Sequence, residues 1–260
     1  MTLAPIANQN KVVLTTSATL PGITEQSEYL FRNATNLSSE INRLVDFTSG
    51  RYKRAAVLWA NLEWAKWGKD AFEAGFKKKG GEIVEDQSFA ADATDLRAQL
   101  TKIRAANPDV VLVLAYKTTG VALKQARELG LKAQFVGTLD FELPEVVEIG
   151  KDAADGSIYT QALFDPENPS SNAMRAYTEE YKKRYHQAPE VYGATMYDML
   201  KMLAEAVATG KDADGIRQYL LSVKNYPGAS GETTFTSTRD VNKPVELKTI
   251  KDGKYEPYKG

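Results

Sequence analysis

Six residues have the types and positions to recognise a small molecule. Ser17, Ala18 and Thr19 lie in Thr15-Thr16-Ser17-Ala18-Thr19, directly after the short apolar run Val12-Val13-Leu14. Hydroxyls and backbone amides gathered at a strand's carboxyl end suit a carboxylate. The same run before Pro21-Gly22 also reads as an ordinary Ser/Thr turn. Trp64 follows the apolar run Ala55 to Trp59, and Trp67 stands one helical turn further on. An indole there is either a flat wall for a ligand's apolar body or a packing surface for a neighbouring helix. Tyr116 holds the equivalent place after Val110 to Leu114 and offers a ring with a hydroxyl. Asp140 follows Gln134 to Gly137. It is suited to pair with a ligand ammonium or to cap the helix expected near Pro144. Small hydroxyls for an anion, an acid for a cation and aromatics between them make a recognition set. It includes no nucleophile with its base.

Catalytic and metal chemistry find little support in the chain. It has no Gly-rich P-loop, no GxGxxG after the first strand of the central unit, no HExxH and no GxSxG. There is no cysteine, so disulfides, thiolate nucleophiles and Cys-ligated metals are excluded. The single histidine, His186, ends the run Lys182-Lys183-Arg184-Tyr185 and reads as a helix end, where cations are favoured. No catalytic residue, metal or cofactor is therefore assigned. A net charge of −1 gives no reason to expect nucleic acid or an anionic membrane as partner. No apolar run approaches the roughly 18 residues needed to span a bilayer. Residues 1–20 lack a basic start and an apolar stretch, so a signal peptide is not expected within them.

The candidate residues need a frame to hold them. Between Arg54 and Asp140 one pattern repeats four times: apolar strand, polar turn, amphipathic helix. The strands read Ala55 to Trp59, Glu82 to Glu85, Val110 to Leu114 and Gln134 to Gly137. The first and third are continuous apolar runs, the mark of strands buried on both faces. The alternation predicts a parallel, doubly covered α/β sheet, whose ligands sit outside the strands' carboxyl ends. Elsewhere, residues 2–9 read as the end of a helix, and Lys11 to Leu14 and Tyr29 to Arg32 as short strands. A helix is expected over Ser38 to Gly50, with Ile41, Leu44, Val45 and Thr48 on one face. Thr94-Asp95 and Thr118-Thr119 read as helix caps. Asp165-Pro166-Glu167-Asn168-Pro169-Ser170 breaks the chain as a connector between domains. Beyond it come helices at Asn172 to Tyr185, Tyr192 to Thr209 and Ala213 to Val223. Strands at Thr233 to Thr236 and Val245 to Ile250 follow, then a hairpin turn at Asp252-Gly253.

Several stretches resemble one known family. Val57-Leu58-Trp59-Ala60-Asn61 through Gly68, Ala71-Phe72 and Gly80-Gly81-Glu82-Ile83-Val84 are similar to the first βαβ of lobe two in type I periplasmic binding proteins. The nearest group is the leucine/isoleucine/valine-binding receptors of ABC transporters. Thr94 to Leu100, Ile103 to Pro108, Lys124-Gln125-Ala126-Arg127-Glu128-Leu129-Gly130-Leu131-Lys132 and Tyr192 to Val207 carry the same resemblance. It covers nearly the whole chain.

The resemblance implies two doubly wound lobes, with 1–34 a remnant of lobe one, 35–162 lobe two and 163–260 the return to lobe one. It implies an extracytoplasmic receptor, periplasmic or extracellular, that captures an amino acid or related polar or aromatic ligand between its lobes. A membrane permease would be its partner. Ser17, Ala18 and Thr19 match the turn that holds a ligand's carboxylate and amino group. Trp64 stands where many members have Tyr before Gly, and here the pair is Trp64-Ala65. Tyr116 matches a tyrosine after lobe two's third strand. Asp140, or the adjoining Leu139, matches the acid that takes the ammonium. The larger indole opens the site to aromatic or other ligands. Lobe one is expected to be short of its first strands, which would leave edges for a second chain or a swapped copy to cover. A small-molecule enzyme and a ligand-sensing domain on the same core are the alternatives.

Overall fold

The structure, a computed structural model, describes residues 3–260. The chain forms two compact units and crosses between them at 36/37, 161/162 and 244/245. The first stretch carries α1 (Leu3–Asn10), β1 (Leu14–Thr16) and β2 (Leu30–Arg32). Residue 2 of the helix expected over 2–9 lies outside the described residues. The second stretch carries α2 (Leu37–Ser49), β3 (Arg54–Ala60), α3 (Glu63–Lys78), β4 (Glu82–Phe89), α4 (Arg97–Ala106), β5 (Val110–Leu114), α5 (Thr119–Glu128), β6 (Gln134–Gly137), α6 (Pro144–Gly150) and β7 (Ile158–Ala162). The third carries α7 (Asn172–Tyr185), α8 (Val191–Ala208), α9 (Ala213–Ser222), β8 (Tyr226–Gly228) and β9 (Gly231–Thr233). The last carries β10 (Val245–Lys251) and β11 (Lys254–Pro257). The first and third make unit 1; the second and last make unit 2.

Unit 2 is one seven-stranded sheet in the order β11-β10-β7-β6-β5-β3-β4. The strands from β3 to β7 pair in parallel, and β11 runs antiparallel to β10. Every residue of β5 is buried. Alternate residues feed opposite layers, as a pleat requires. Ala55, Val57 and Leu112 meet Leu37, Ile41 and Leu44 of α2 and Phe72 and Phe76 of α3. Ala56, Leu58, Val111 and Val113 meet Leu100 and Ile103 of α4, Leu123 of α5 and Val146 of α6. Each Val, Leu, Ile or Phe among them contributes about 1.5–3 kcal/mol through burial, and the alanines less.

In unit 2, two features depart from the sequence expectation. β4 continues to Phe89 and is half-exposed along its length. Its polar run Glu85 to Ser88 is what a sheet's edge strand carries. The second departure concerns residues 245–260, expected in lobe one. They belong to unit 2, because β10 lies beside β7. Gly156 N–H donates to Ile250 O at 2.8 Å, and Ile250 N–H donates to Ser157 O at 3.2 Å. The outer edge of β7 carries backbone groups that need partners, and β10 supplies them.

In unit 1, β1 and β2 form a two-stranded parallel pair. Phe31 of β2 packs with Met199 and Met202 of α8, Leu220 of α9, Phe235 and Val241. The strand expected over Thr233 to Thr236 is replaced by the β8–β9 hairpin and one bridge between Phe235 and Val241. Buried Asp198 of α8 holds the hairpin turn. It accepts from Ala229 N–H at 2.7 Å and from Ser230 N–H at 2.8 Å. Lys243 donates to Ser230 Oγ at 2.9 Å and to Thr233 Oγ1 at 3.3 Å. Thr233 donates in turn to Asn33 Oδ1 at 2.9 Å. Burial pushes the Lys243 ammonium down to about 8, against the opposing pull of Asp198.

Candidate functional site

The strand order of unit 2 fixes where a ligand would meet it. From β3 the chain runs to β4 on one side, then places β5 on the other. Doubly wound sheets take their ligands outside the carboxyl ends of the strands where the order reverses, and here that place is the crevice position between β3 and β5. Trp64 and Tyr116 stand beside it, and Asp140 follows the next strand, β6. Unit 2 thus brings these three to neighbouring carboxyl-end turns. Ser17, Ala18 and Thr19 belong to unit 1.

Trp64 is the second residue of α3 and half-buried. Both it and Trp67 pack at the rim of the α2–α3 layer, so each has a structural role. Tyr116 is different. It is 43% exposed and held at φ 48°, the left-handed region that side chains disfavour. It opens a short turn, Tyr116–Thr118. Thr118 does not cap α5; its hydroxyl donates to Ala91 O at 3.1 Å and ties the turn to the loop after β4. Asp95, expected as a cap for α4, accepts from Arg97 N–H at 3.1 Å, while Leu96 holds the N-cap position.

Asp140 is buried, at 8% exposure, within the turn Leu139–Glu142. It is not the cap of α6, whose N-cap is Leu143 with no side-chain capping bond. Two acids that sequence reasoning missed hold this turn. Glu40 of α2, fully buried, accepts from Leu139 N–H at 3.1 Å and from Thr160 Oγ1 at 3.3 Å. Glu142 accepts from Tyr159 Oη and from Gln161 Nε2, both at 2.8 Å, and pairs with Lys248. Burial and the facing Glu142 carboxylate push the Tyr159 phenol well above its usual range. Phe141 stacks on Tyr159, with ring centres 5.9 Å apart, and its ring lies over Gly137. The sequence did carry a sign of Glu40: an acid on the apolar face of α2, one turn before Leu44.

In unit 1 the hydroxyl turn is held by Arg32, also missed. Its side chain is completely buried in a strand otherwise made of apolar residues. The guanidinium takes a forked pair with Asp240. It also donates to Ala18 O at 3.1 Å and Leu20 O at 2.8 Å. Thr16 Oγ1 accepts from Ala18 N–H at 3.0 Å. The hydroxyls of Ser17 and Thr19 make no hydrogen bond to another described residue.

Two clefts of about 390 and 580 Å³ lie elsewhere on unit 2. Tyr52, Asp109, Lys132 and Ala133 line both, at the strands' amino ends, opposite the crevice. They are open and polar and hold none of the candidate residues. Among the described residues no cluster of three or more His, Cys, Asp or Glu could hold a metal ion. No described helix is long and apolar enough to cross a membrane.

The architecture has known counterparts. The family model described as "Periplasmic binding protein" matches residues 1–254. The Leu/Ile/Val-binding protein BraC3 of Rhizobium johnstonii is 27% identical over 247 residues, covering 91% of this chain and 65% of that protein. Among solved structures, the branched-chain amino acid transporter substrate binding protein LivJ of Streptococcus pneumoniae, in complex with isoleucine, superposes with a TM-score of 0.89 at 26% identity. That match covers 99% of this chain and 75% of LivJ. A solute binding protein of an ABC transporter from Rhodopseudomonas palustris, in complex with 3,4-dihydroxy benzoic acid, gives a TM-score of 0.87 at 25% identity, covering 98% of this chain and 73% of that one. The chain therefore spans about two thirds of the length of its curated relative.

Proposed function

The chain belongs to the periplasmic binding protein family, of the type I fold with Leu/Ile/Val-binding relatives, and we propose that it captures a small carboxylate ligand for an ABC transporter. The ligand class is an amino acid or a related polar or aromatic acid. The observation that carries this reading is the exposed, left-handed Tyr116 beside the crevice, with Trp64 and the Asp140 turn on neighbouring strands. An aromatic wall and a buried acid fit an ammonium-bearing or aromatic body. In unit 1, Ser17 and Thr19 offer hydroxyl donors of the kind a carboxylate takes, while the Ala18 N–H is already given to Thr16 Oγ1 and holds the turn. No bond is made or broken: binding is the function, and the liganded state is what a membrane permease would recognise. The setting is extracytoplasmic, as the family's name implies.

A thermal-shift screen with branched-chain amino acids, aromatic amino acids and hydroxylated benzoic acids tests the reading. A true ligand at a hundredfold excess over Kd stabilises the protein by about 2.7 kcal/mol. Trp64→Ala, Tyr116→Ala and Asp140→Asn should each reduce that shift. If no member of the panel shifts the wild type, the ligand class is wrong.

A second chain or swapped copy is the further partner we propose. The β1–β2 pair has only three residues per strand, and parallel sheets are ordinarily wider and covered on both faces. Tyr197, Leu200 and Val207 form an exposed stripe on α8. Light scattering should report an assembly larger than one chain, and a monodisperse monomer overturns this point.

A further inference from the structure

All three chain crossings are tied, on the unit 2 side, to the one turn that carries Asp140. The first crossing enters α2 at Leu37, and Glu40 lies in that helix's first turn. Glu40 receives the Leu139 amide and the hydroxyl of Thr160. Thr160 and Gln161 end unit 2's part of β7, at the second crossing. Gln161 and Tyr159 both donate to Glu142. The third crossing enters β10 at Val245, and Lys248 of that strand pairs with Glu142. Lys248 is 5% exposed and Tyr159 completely buried, so water does not compete freely for these bonds. Leu139–Glu142 is four residues long, bonded at its first residue to one buried acid and contributing the second acid from its last.

We propose that Glu142, with Glu40, is a positioning pair that makes the Asp140 turn the common root of the three crossings. Both oxygens of Glu142 are engaged, one by Tyr159 and Lys248 and the other by Gln161. A shift of the turn therefore moves Tyr159 and Gln161 of β7 and the middle of β10 with it. The same shift moves the Leu139 amide against Glu40 and so reaches α2. Rigid, hydrogen-bonded elements of this kind carry coupling between a binding residue and a hinge. The ligand side of the inference rests on the proposed role of Asp140; the linkage of the crossings does not. Glu142 touches no ligand in this scheme. It sets the state of the segments through which one unit is joined to the other.

Hydrogen exchange read by mass spectrometry on the whole chain tests the linkage without a ligand. In Glu142→Gln, exchange should rise about tenfold together at 139–142, 158–161 and 245–248 and in the first two turns of α2, while 54–60 and 110–114 stay unchanged. Lys248→Met removes the ion pair from the β10 side and should give the same pattern, which decides the matter if the first variant does not fold. A rise confined to 139–142, or spread evenly over unit 2, in the variants that fold overturns the proposal. The ligand reading is judged on the wild type, with L-isoleucine or 3,4-dihydroxybenzoate as probe. Protection of the turn together with the crossings supports coupling, and protection of the turn alone overturns it. If neither probe protects anything, the assignment of Asp140 fails, and the variants alone decide the linkage.

Discussion

Lys243 should make unit 1 more stable as the solution becomes mildly alkaline, against the usual trend. Its ammonium is buried, at 7% exposure, and burial pushes it from the ordinary 10.5 down to about 8. Below about pH 8 the lysine is charged in both the folded and the unfolded chain, and the folded state carries the full cost of burying the charge. Between about 8 and 10.5 the folded chain holds it neutral while the unfolded chain still binds the proton. Stability therefore rises with pH across that window. The gap corresponds to about 3 kcal/mol in full, of which about 2 kcal/mol is gained between pH 7 and 9.5. Tyrosines set the upper limit. Burial pushes Tyr177 up to about 12, and the Glu205 carboxylate pushes Tyr219 up to about 12. Their stabilisation is present below the unfolded value near 10 and is lost as the pH climbs beyond it. Urea denaturation at pH 7, 8, 9 and 9.5, compared with Lys243→Met, isolates the effect. Far-ultraviolet circular dichroism is the probe, because Trp59, Trp64 and Trp67 all lie in unit 2 and do not report on unit 1. The wild-type curve should climb relative to the variant by about 2 kcal/mol. Parallel curves would refute the reasoning, since Lys243 would then titrate alike in both states.

Two further substitutions have defined outcomes. A Cβ at Gly137 would stand 1.9 Å from the Phe141 ring, so Gly137→Ala must displace that ring from Tyr159 and should cost about 1–3 kcal/mol by urea denaturation. Tyr116→Gly should separate binding from stability. Relief of the left-handed strain is worth roughly 1–2 kcal/mol and the added freedom of the unfolded chain offsets about 0.4–1 kcal/mol, so stability should hold or rise slightly. Affinity for any ligand found in the screen should fall at the same time, and a variant that loses both was holding the fold.

The parts of the fold that could be read in the sequence are those whose burial is written locally. Val110 to Leu114 is apolar throughout because both faces of β5 are covered, and its partner β3 reads the same way. Such runs gave the parallel sheet and the turns at its carboxyl ends. They could not give the strand order. Trp64 and Tyr116 flank the crevice because β4 and β5 lie on opposite sides of β3, and nothing within either strand records its neighbours. The same gap explains β10. Val245 to Ile250 is evidently a strand, but its place beside β7 depends on an open edge nearly ninety residues earlier in the chain. The second half of edge strand β4 is not legible in the sequence, because its polar residues resemble a loop. The residues that hold the candidate turns left a fainter trace: Glu40 on an apolar helix face, and Arg32 at the end of an apolar strand.

These buried charges share one use. A buried ion pair is weak evidence for stability, because desolvation offsets most of the attraction. Here the buried charges hold backbone as well as one another. Arg32 draws in the carbonyls of Ala18 and Leu20, Asp198 gathers the amides of Ala229 and Ser230, and Glu40 takes the amide of Leu139. In each case the backbone group lies in an irregular segment, where no helix or strand neighbour supplies a partner. Two of the three segments are the candidate ligand turns, and the third, through Lys243 and Thr233, is tied to Asn33 near the first crossing. Removing one such charge leaves a buried backbone group without its partner, at a cost of about 1–3 kcal/mol, and frees the turn to move. The charges thus mark the irregular segments that the fold keeps in one conformation, and those are the segments on which recognition and movement depend.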